Sequence, residues 1–213
     1  MKKITREKLY PFLKKEASTE NTLNVGSGRT HYDELFPNQT TLDISEKKNP
    51  DIVASACDMP IPDNTYGVII STAVLEHIAD FQKALEEMKR VTKPGGKIIL
   101  ILPFAFPLHA IPGDYFRFSS YGIRHMFGDW EDVKIAPVTN TFETIAVILQ
   151  RCIFQCTYPF DKIVKGCIYL LMNFFLLFGK IPSREYSQGA KKIEELSGTI
   201  LPSIYFVVAK KPE

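Results

Sequence analysis

The chain has little that would hold it together covalently and little that would draw a polyanion. Its 213 residues include four cysteines, Cys57, Cys152, Cys156 and Cys167, with no CxxC spacing and no neighbouring histidine in a zinc-like arrangement. A disulfide framework and a zinc knot are excluded as organising devices, so reduced core thiols are expected and no metal. The net charge of +2 creates no single-sign field, and nucleic acid is not an expected partner. No apolar run reaches the roughly 20 residues that span a bilayer. The basic N-terminus (Lys2, Lys3, Arg6, Lys8, Lys14, Lys15) lacks the apolar stretch of a signal peptide, which points to the cytoplasm. With 45% apolar and 23% charged residues, the remaining reading is one α/β domain carrying an insertion.

What is present begins with Leu23 to Gly28, LNVGSG, an apolar run ending in two glycines where a buried strand turns sharply. Glycine there permits unusual dihedrals and lets a ligand lie against exposed N–H groups. The dinucleotide fingerprint wants a third glycine where this chain has His31, and no Lys followed by Ser or Thr makes a P-loop. Both phosphate-binding readings weaken, while a phosphate-free nucleoside ligand tolerates Arg29, Thr30 and His31.

Short apolar runs at 22–25, 40–42, 52–54, 68–71 and 97–102, bounded by Gly, Pro, Asn or Asp, predict buried parallel strands. Between the last two, Phe81, Ala84, Leu85, Met88 and Val91 fall on one helical face, with Asp80 as N-cap and Lys93 to Gly96 as the stop. This alternation implies a parallel sheet with its ligand at the strands' C-terminal ends. A brief helix is expected around 31–36, and one flank of the sheet is expected to be thinly covered. An edge strand at 133–136, two apolar helical stretches and a last strand at 204–209 complete the pattern.

Asp43 ends the second strand fifteen residues after Gly28, where a carboxylate can accept both ribose hydroxyls. Asp58 ends the third strand, placed for an adenine amino group with Met59 over the ring.

The stretch from Leu23 to Pro103 resembles the class I S-adenosylmethionine-dependent methyltransferases, through STAVLEHIADFQKALEEMKRVTKPGGKIILILP at 71–103. The resemblance implies a Rossmann-like α/β fold with a mostly parallel seven-stranded sheet, an antiparallel C-terminal strand and an apolar helical insertion before it. It implies S-adenosyl-L-methionine as cofactor, with Asn24, Gly26, Ser27 and Gly28 along methionine and ribose. Asp43 and Ile44 would then face the ribose, Asp58 and Met59 the adenine, and Ser71, Thr72 and Ala73 the sulfonium side. Asn24 stands where the family has Glu or Asp, and Thr30 where it often has glycine. Base-methylating members carry Asn or Asp, two prolines and an aromatic where this chain has Ser71 to Val74. PFAFPLHAIPGDYFRFSSYGIRHMF at 103–127 resembles a loop of small methyltransferases often encoded with cell-surface glycan genes.

A sulfonium is already a good leaving group, so a base is needed only if the acceptor loses a proton. His109 is the first candidate base, Asp114 its orienter or a sugar-binding carboxylate, and His77 the alternative base. Tyr115 and Arg117 offer an aromatic platform and an anion contact, or Arg117 pairs with Asp114 and the loop packs as a lid. These assignments divide the chain into a basic segment (1–20), a cofactor core (21–103), a substrate loop (104–130), a helical insertion (141–200) and a last strand (203–210).

Ile163 to Phe178 reads as a buried helix over the sheet or a dimer seam, or as a helix in a membrane interface that covers a lipid-linked substrate. The leading function is O-methylation of a small-molecule or glycan acceptor. A cofactor-binding module without turnover and an NAD-dependent oxidoreductase are the alternatives.

Overall fold

A computed structural model of the chain describes residues 2–128, 130, 132–181 and 199–213. One seven-stranded sheet organises it. Its strands are β1 (Thr22–Val25), β2 (Gln39–Asp43), β3 (Ile52–Val53), β4 (Tyr66–Thr72), β5 (Thr92–Pro103), β6 (Asp132–Pro137) and β7 (Ile204–Lys210), in the spatial order β3-β2-β1-β4-β5-β7-β6. The pairs from β3 through β5 are parallel, and β7 runs antiparallel between β5 and β6. β1 is followed by β2 on one side and flanked by β4 on the other. Connections therefore leave in opposite directions there, and the C-terminal ends of β1 and β4 open a crevice.

Alternation along the central strands sends side chains to two cores. Ile69, Ile98 and Leu100 face α2 (Phe81–Val91) and α3 (Ser120–Met126), whereas Val68, Ile70, Ile99 and Ile101 face α1 (Ile4–Lys15) and the 31–36 segment. The α2 helix forms where its spacing predicts. Asp80 accepts from the Lys83 N–H, and Ala84, Leu85, Met88 and Val91 are buried. Burial of Leu85 and Met88 contributes about 1.5–3 kcal/mol each.

Two expectations fail locally, and one element was not foreseen. The 31–36 segment makes a single turn rather than a helix, closed by bonds from the Leu35 and Phe36 N–H groups to the Tyr32 carbonyl, because Pro37 follows and Phe36 is drawn into the core. The basic N-terminal segment is helical despite Pro11, with Leu13 fully packed on the sheet face. The cysteines are free, but Cys57 is only half-buried against the main core, Cys152 and Cys156 are half-buried and Cys167 is exposed, so none is a fully buried core thiol.

The expected insertion contains α4 (Thr141–Gln155) and α5 (Asp161–Phe178), and its remainder at 182–198 lies outside the described residues. The α5 helix does not lie buried over the sheet. It packs on α4 through Met172, Phe175 and Leu176, with Ile4 of α1 in the same cluster, while Ile163, Leu170, Phe174 and Leu177 face outward. Among the described residues no helix is long and apolar enough to cross a membrane.

Candidate active site

The β1 turn is shaped by two glycines with different constraints. Gly26 has φ +67°, and a Cβ there would come within 2.5 Å of the Val74 side chain, so conformation and space both demand glycine. Gly28 has φ +58° with open space where a Cβ would point. That opening is a cradle in which a ligand can meet backbone. Asp43 locks it: Oδ2 accepts from the Gly28 N–H at 2.9 Å and Oδ1 from the Ser45 N–H at 2.8 Å. The carboxylate keeps further lone pairs for hydroxyl donors.

Neighbouring residues divide into ligand-facing and supporting groups. Ser27 and Ser71 hold buried hydroxyls with no protein acceptor or donor. Asn24, in contrast, donates to the Thr30 carbonyl at 3.0 Å and to Gln39 Oε1 at 3.3 Å, so its amide fastens the loop. Ile44 is exposed at the cradle's edge. Asp58 is exposed, and Met59 is buried in the core beside it. The Met59 N–H donates to Glu87 and its carbonyl accepts from Arg90, which holds the Asp58 turn in place. Thr72 accepts from the Tyr32 hydroxyl at 3.3 Å, and Ala73 sits at φ +55°, a strained conformation for a residue with a Cβ.

Beyond Thr72 and Ala73 the crevice deepens into a cavity of about 460 Å³. Tyr32, Glu76, Phe106 and His109 line it, and the start of α1 roofs it with Arg6 and Leu9 and with Lys3 just before the helix. Burial raises the pKa of the Tyr32 hydroxyl. Arg151 of α4 also reaches the cavity, its guanidinium 4.5 Å from the Phe106 ring centre. Among the described residues Lys3, Arg6 and Arg151 form no ion pair with a carboxylate. Burial and the nearby Arg151 and Arg6 charges lower the Lys3 pKa.

The 103–127 loop folds back on the β4 end. The Tyr115 N–H donates to the Glu76 carbonyl at 2.8 Å, and His77 Nδ1 lies 2.6 Å from the Gly113 carbonyl. Asp114 is the pivot: it accepts from the His109 N–H at 2.8 Å and from Arg117 through both oxygens at 2.7 Å. Arg117 holds this carboxyl well below the usual carboxylate range. Arg117 donates its other N–H groups to the Phe106, Pro107 and Phe116 carbonyls, so its polar reach is spent inside the loop. Tyr115 exposes its ring to solvent and does not line the cavity.

His109 and His77 meet edge to face with ring centres 4.7 Å apart. Between them lies Glu76, wholly buried, with Oε1 3.6 Å from His109 Nε2 and 3.8 Å from His77 Nε2. In the sequence Glu76 has no signal of its own beyond standing next to His77. The α1 residues and Arg151 were also missed, although the basic residues of the N-terminus were their one visible sign.

Strand order, the glycine turn, the Asp43 lock and a deep cavity beyond β4 together define the Rossmann-like class I methyltransferase architecture. Residues 23–100 match the family model described as a methyltransferase domain. A ubiquinone/menaquinone biosynthesis C-methyltransferase from Idiomarina loihiensis is 39% identical over 77 residues, 36% of this chain and 30% of that protein. A demethylmenaquinone methyltransferase from Corynebacterium urealyticum is 38% identical over 80 residues, 38% of this chain and 34% of that protein. The chain thus spans about a third of the length of the curated relatives it matches. Among solved structures, an Archaeoglobus fulgidus SAM-dependent methyltransferase superposes with TM-score 0.58 at 15% identity, covering 98% of this chain and 92% of that one. Haemonchus contortus phosphoethanolamine N-methyltransferase 2, bound to phosphomonomethylethanolamine and S-adenosylhomocysteine, gives 0.58 at 16% identity, covering 98% and 53%. These distant likenesses establish the fold.

Proposed function

We propose that the protein transfers a methyl group from S-adenosylmethionine to an oxygen of a small acceptor. The observation that carries this reading is adjacency: the Gly28–Asp43 cradle closes the ends of β1 and β2, and beside them the end of β4 supplies Thr72 and Ala73 to a cavity that His109 also lines. The cradle fits the cofactor, because it offers an unfilled space at Gly28, an anchored carboxylate and unpartnered Ser27 and Ser71 hydroxyls, with no third glycine or lysine for phosphates.

The cofactor supplies a methyl group on a sulfonium, which leaves readily, so alignment and exclusion of water do most of the work. Asp43 takes the ribose hydroxyls, and Asp58 with the 55–59 turn faces the adenine. Thr72 and Ala73 bound the sulfonium side. The α1 roof keeps water from the cavity, and His109 accepts the acceptor's hydroxyl proton at Nε2, held in place by Asp114. Lys3, Arg6 and Arg151 favour an acceptor bearing phosphate or carboxylate, as on a sugar phosphate or glycan intermediate. The exposed apolar face of α5 favours a lipid-linked form of such an acceptor.

Methyl-labelled S-adenosylmethionine offered with sugar phosphates and hydroxy acids tests the reading. Label is expected on an oxygen of at least one of them. His109→Ala is expected to lose about 100-fold or more in turnover with unchanged cofactor affinity. Near-normal turnover in that variant sinks the role of His109, and label found only on carbon or nitrogen sinks the oxygen acceptor.

A further inference from the structure

Glu76 poses a problem that methyl transfer does not solve. Its carboxylate is completely buried, and neither oxygen has a hydrogen-bond partner. A buried charged group without a partner costs several kcal/mol in ordinary proteins, and such groups are paired or ligate metals. The two imidazoles nearest Glu76 turn their Nε2 atoms toward it, and the three ligand atoms lie within 4.8 Å of one another.

We propose that Glu76, His77 and His109 bind a divalent transition-metal ion of the zinc class. Four-coordinate zinc with ligands at about 2.0–2.2 Å places those ligands roughly 3.4 Å apart. The separations of 3.6 and 3.8 Å from Glu76 Oε1 to the two Nε2 atoms need only small closure. The ring orientations suit the role as well. His77 directs Nδ1 to the Gly113 carbonyl at 2.6 Å, and His109 Nδ1 lies 3.3 Å from Asp114 Oδ2 without a hydrogen bond, close enough for a small ring rotation to make one, which leaves both Nε2 atoms for the ion. Carbonyl or carboxylate support behind a ligating histidine is the usual outer arrangement of metal sites. Two imidazoles and one carboxylate suit zinc or cobalt better than calcium or magnesium. Glu76 and His109 line the cavity, so the remaining coordination position opens toward the acceptor.

The spacing rules that excluded a metal missed this group because its ligands come from two loops 32 residues apart. An ion on His109 Nε2 takes the lone pair that the base role uses, so that role belongs to the metal-free protein and metal loading is expected to slow methyl transfer. The binding inference stands on the trio alone and not on the methyl-transfer reading.

Full-length protein stripped with chelator and titrated with cobalt(II) tests it by visible absorption, with zinc competition as a second readout. One saturable equivalent with d–d bands is expected. His77→Ala, His109→Ala and Glu76→Gln should each weaken it at least tenfold, and His125→Ala should leave it unchanged. S-adenosylhomocysteine binding measured on the same samples reports folding and keeps the two readings separate. Absence of a saturable equivalent in wild-type protein that still binds S-adenosylhomocysteine overturns the metal site alone. Equal cobalt affinity in folded His77→Ala and Glu76→Gln proteins overturns it as well.

Discussion

The cradle at β1–β2 and the chamber at β4–β5 occupy neighbouring positions on one sheet edge, yet they are built from different material. The cradle is backbone held by one side chain: two left-handed glycines, two N–H groups and Asp43, all within one β-turn-β unit. The chamber is side chains brought from afar: Lys3 and Arg6 at the start of α1, Glu76 after β4, His109 after β5 and Arg151 on α4. A backbone site tolerates few changes at few positions, whereas a side-chain site can be altered piecemeal. Cofactor binding and acceptor handling should therefore separate cleanly under mutation.

The largest effect is expected at the cradle. Gly26→Ala places a Cβ against Val74 and forces a side-chain-bearing residue to φ +67°. A loss of about 2–4 kcal/mol in stability is expected by thermal or urea melting, with S-adenosylhomocysteine binding falling below detection. Asp43→Ala comes next. It leaves the Gly28 and Ser45 N–H groups without their acceptor, which costs about 1–3 kcal/mol of stability, and at least a tenfold loss of cofactor affinity is expected by calorimetry. Parent-like affinity in that variant would break the ribose-anchor assignment.

Changes at the chamber should spare the cradle. Arg117→Ala removes the bidentate partner of the almost fully buried Asp114, and a loss of about 2–3 kcal/mol is expected, reduced from the fully buried case because Arg117 is partly exposed. Turnover should fall with the loop, while S-adenosylhomocysteine affinity measured below the melting range stays within about twofold. A matching fall in cofactor affinity would show that the two regions are not separable. Arg6→Ala should have the smallest effect. Its side chain sits at the exposed cavity rim, so a several-fold rise in acceptor KM that fades with added salt is expected, with no change in cofactor binding.

The same contrast explains what could be read from the amino acids alone. The strand cores, the α2 face from Phe81 to Val91 and the Gly28–Asp43 spacing were legible because local periodicity and turn chemistry dictate them. The α1 helix was hidden by Pro11 and by a short apolar stripe whose meaning depends on the sheet it covers. Arg117 could be an anion contact or the partner of Asp114 until the fold put five acceptors around it. Glu76 was invisible as a buried carboxylate because nothing in VLEH reveals that the 103–127 loop closes over it. Outward residues of α5 looked core-like by composition, and only packing on α4 decided which ones were buried.

The central claim is that the β1 turn seats a phosphate-free adenosine and methionine rather than a dinucleotide. Calorimetry of the full chain with S-adenosylmethionine, S-adenosylhomocysteine and NAD tests it most directly. Saturable binding of the first two with none of NAD is the predicted result. Tight NAD binding with no response to the other two would contradict the account.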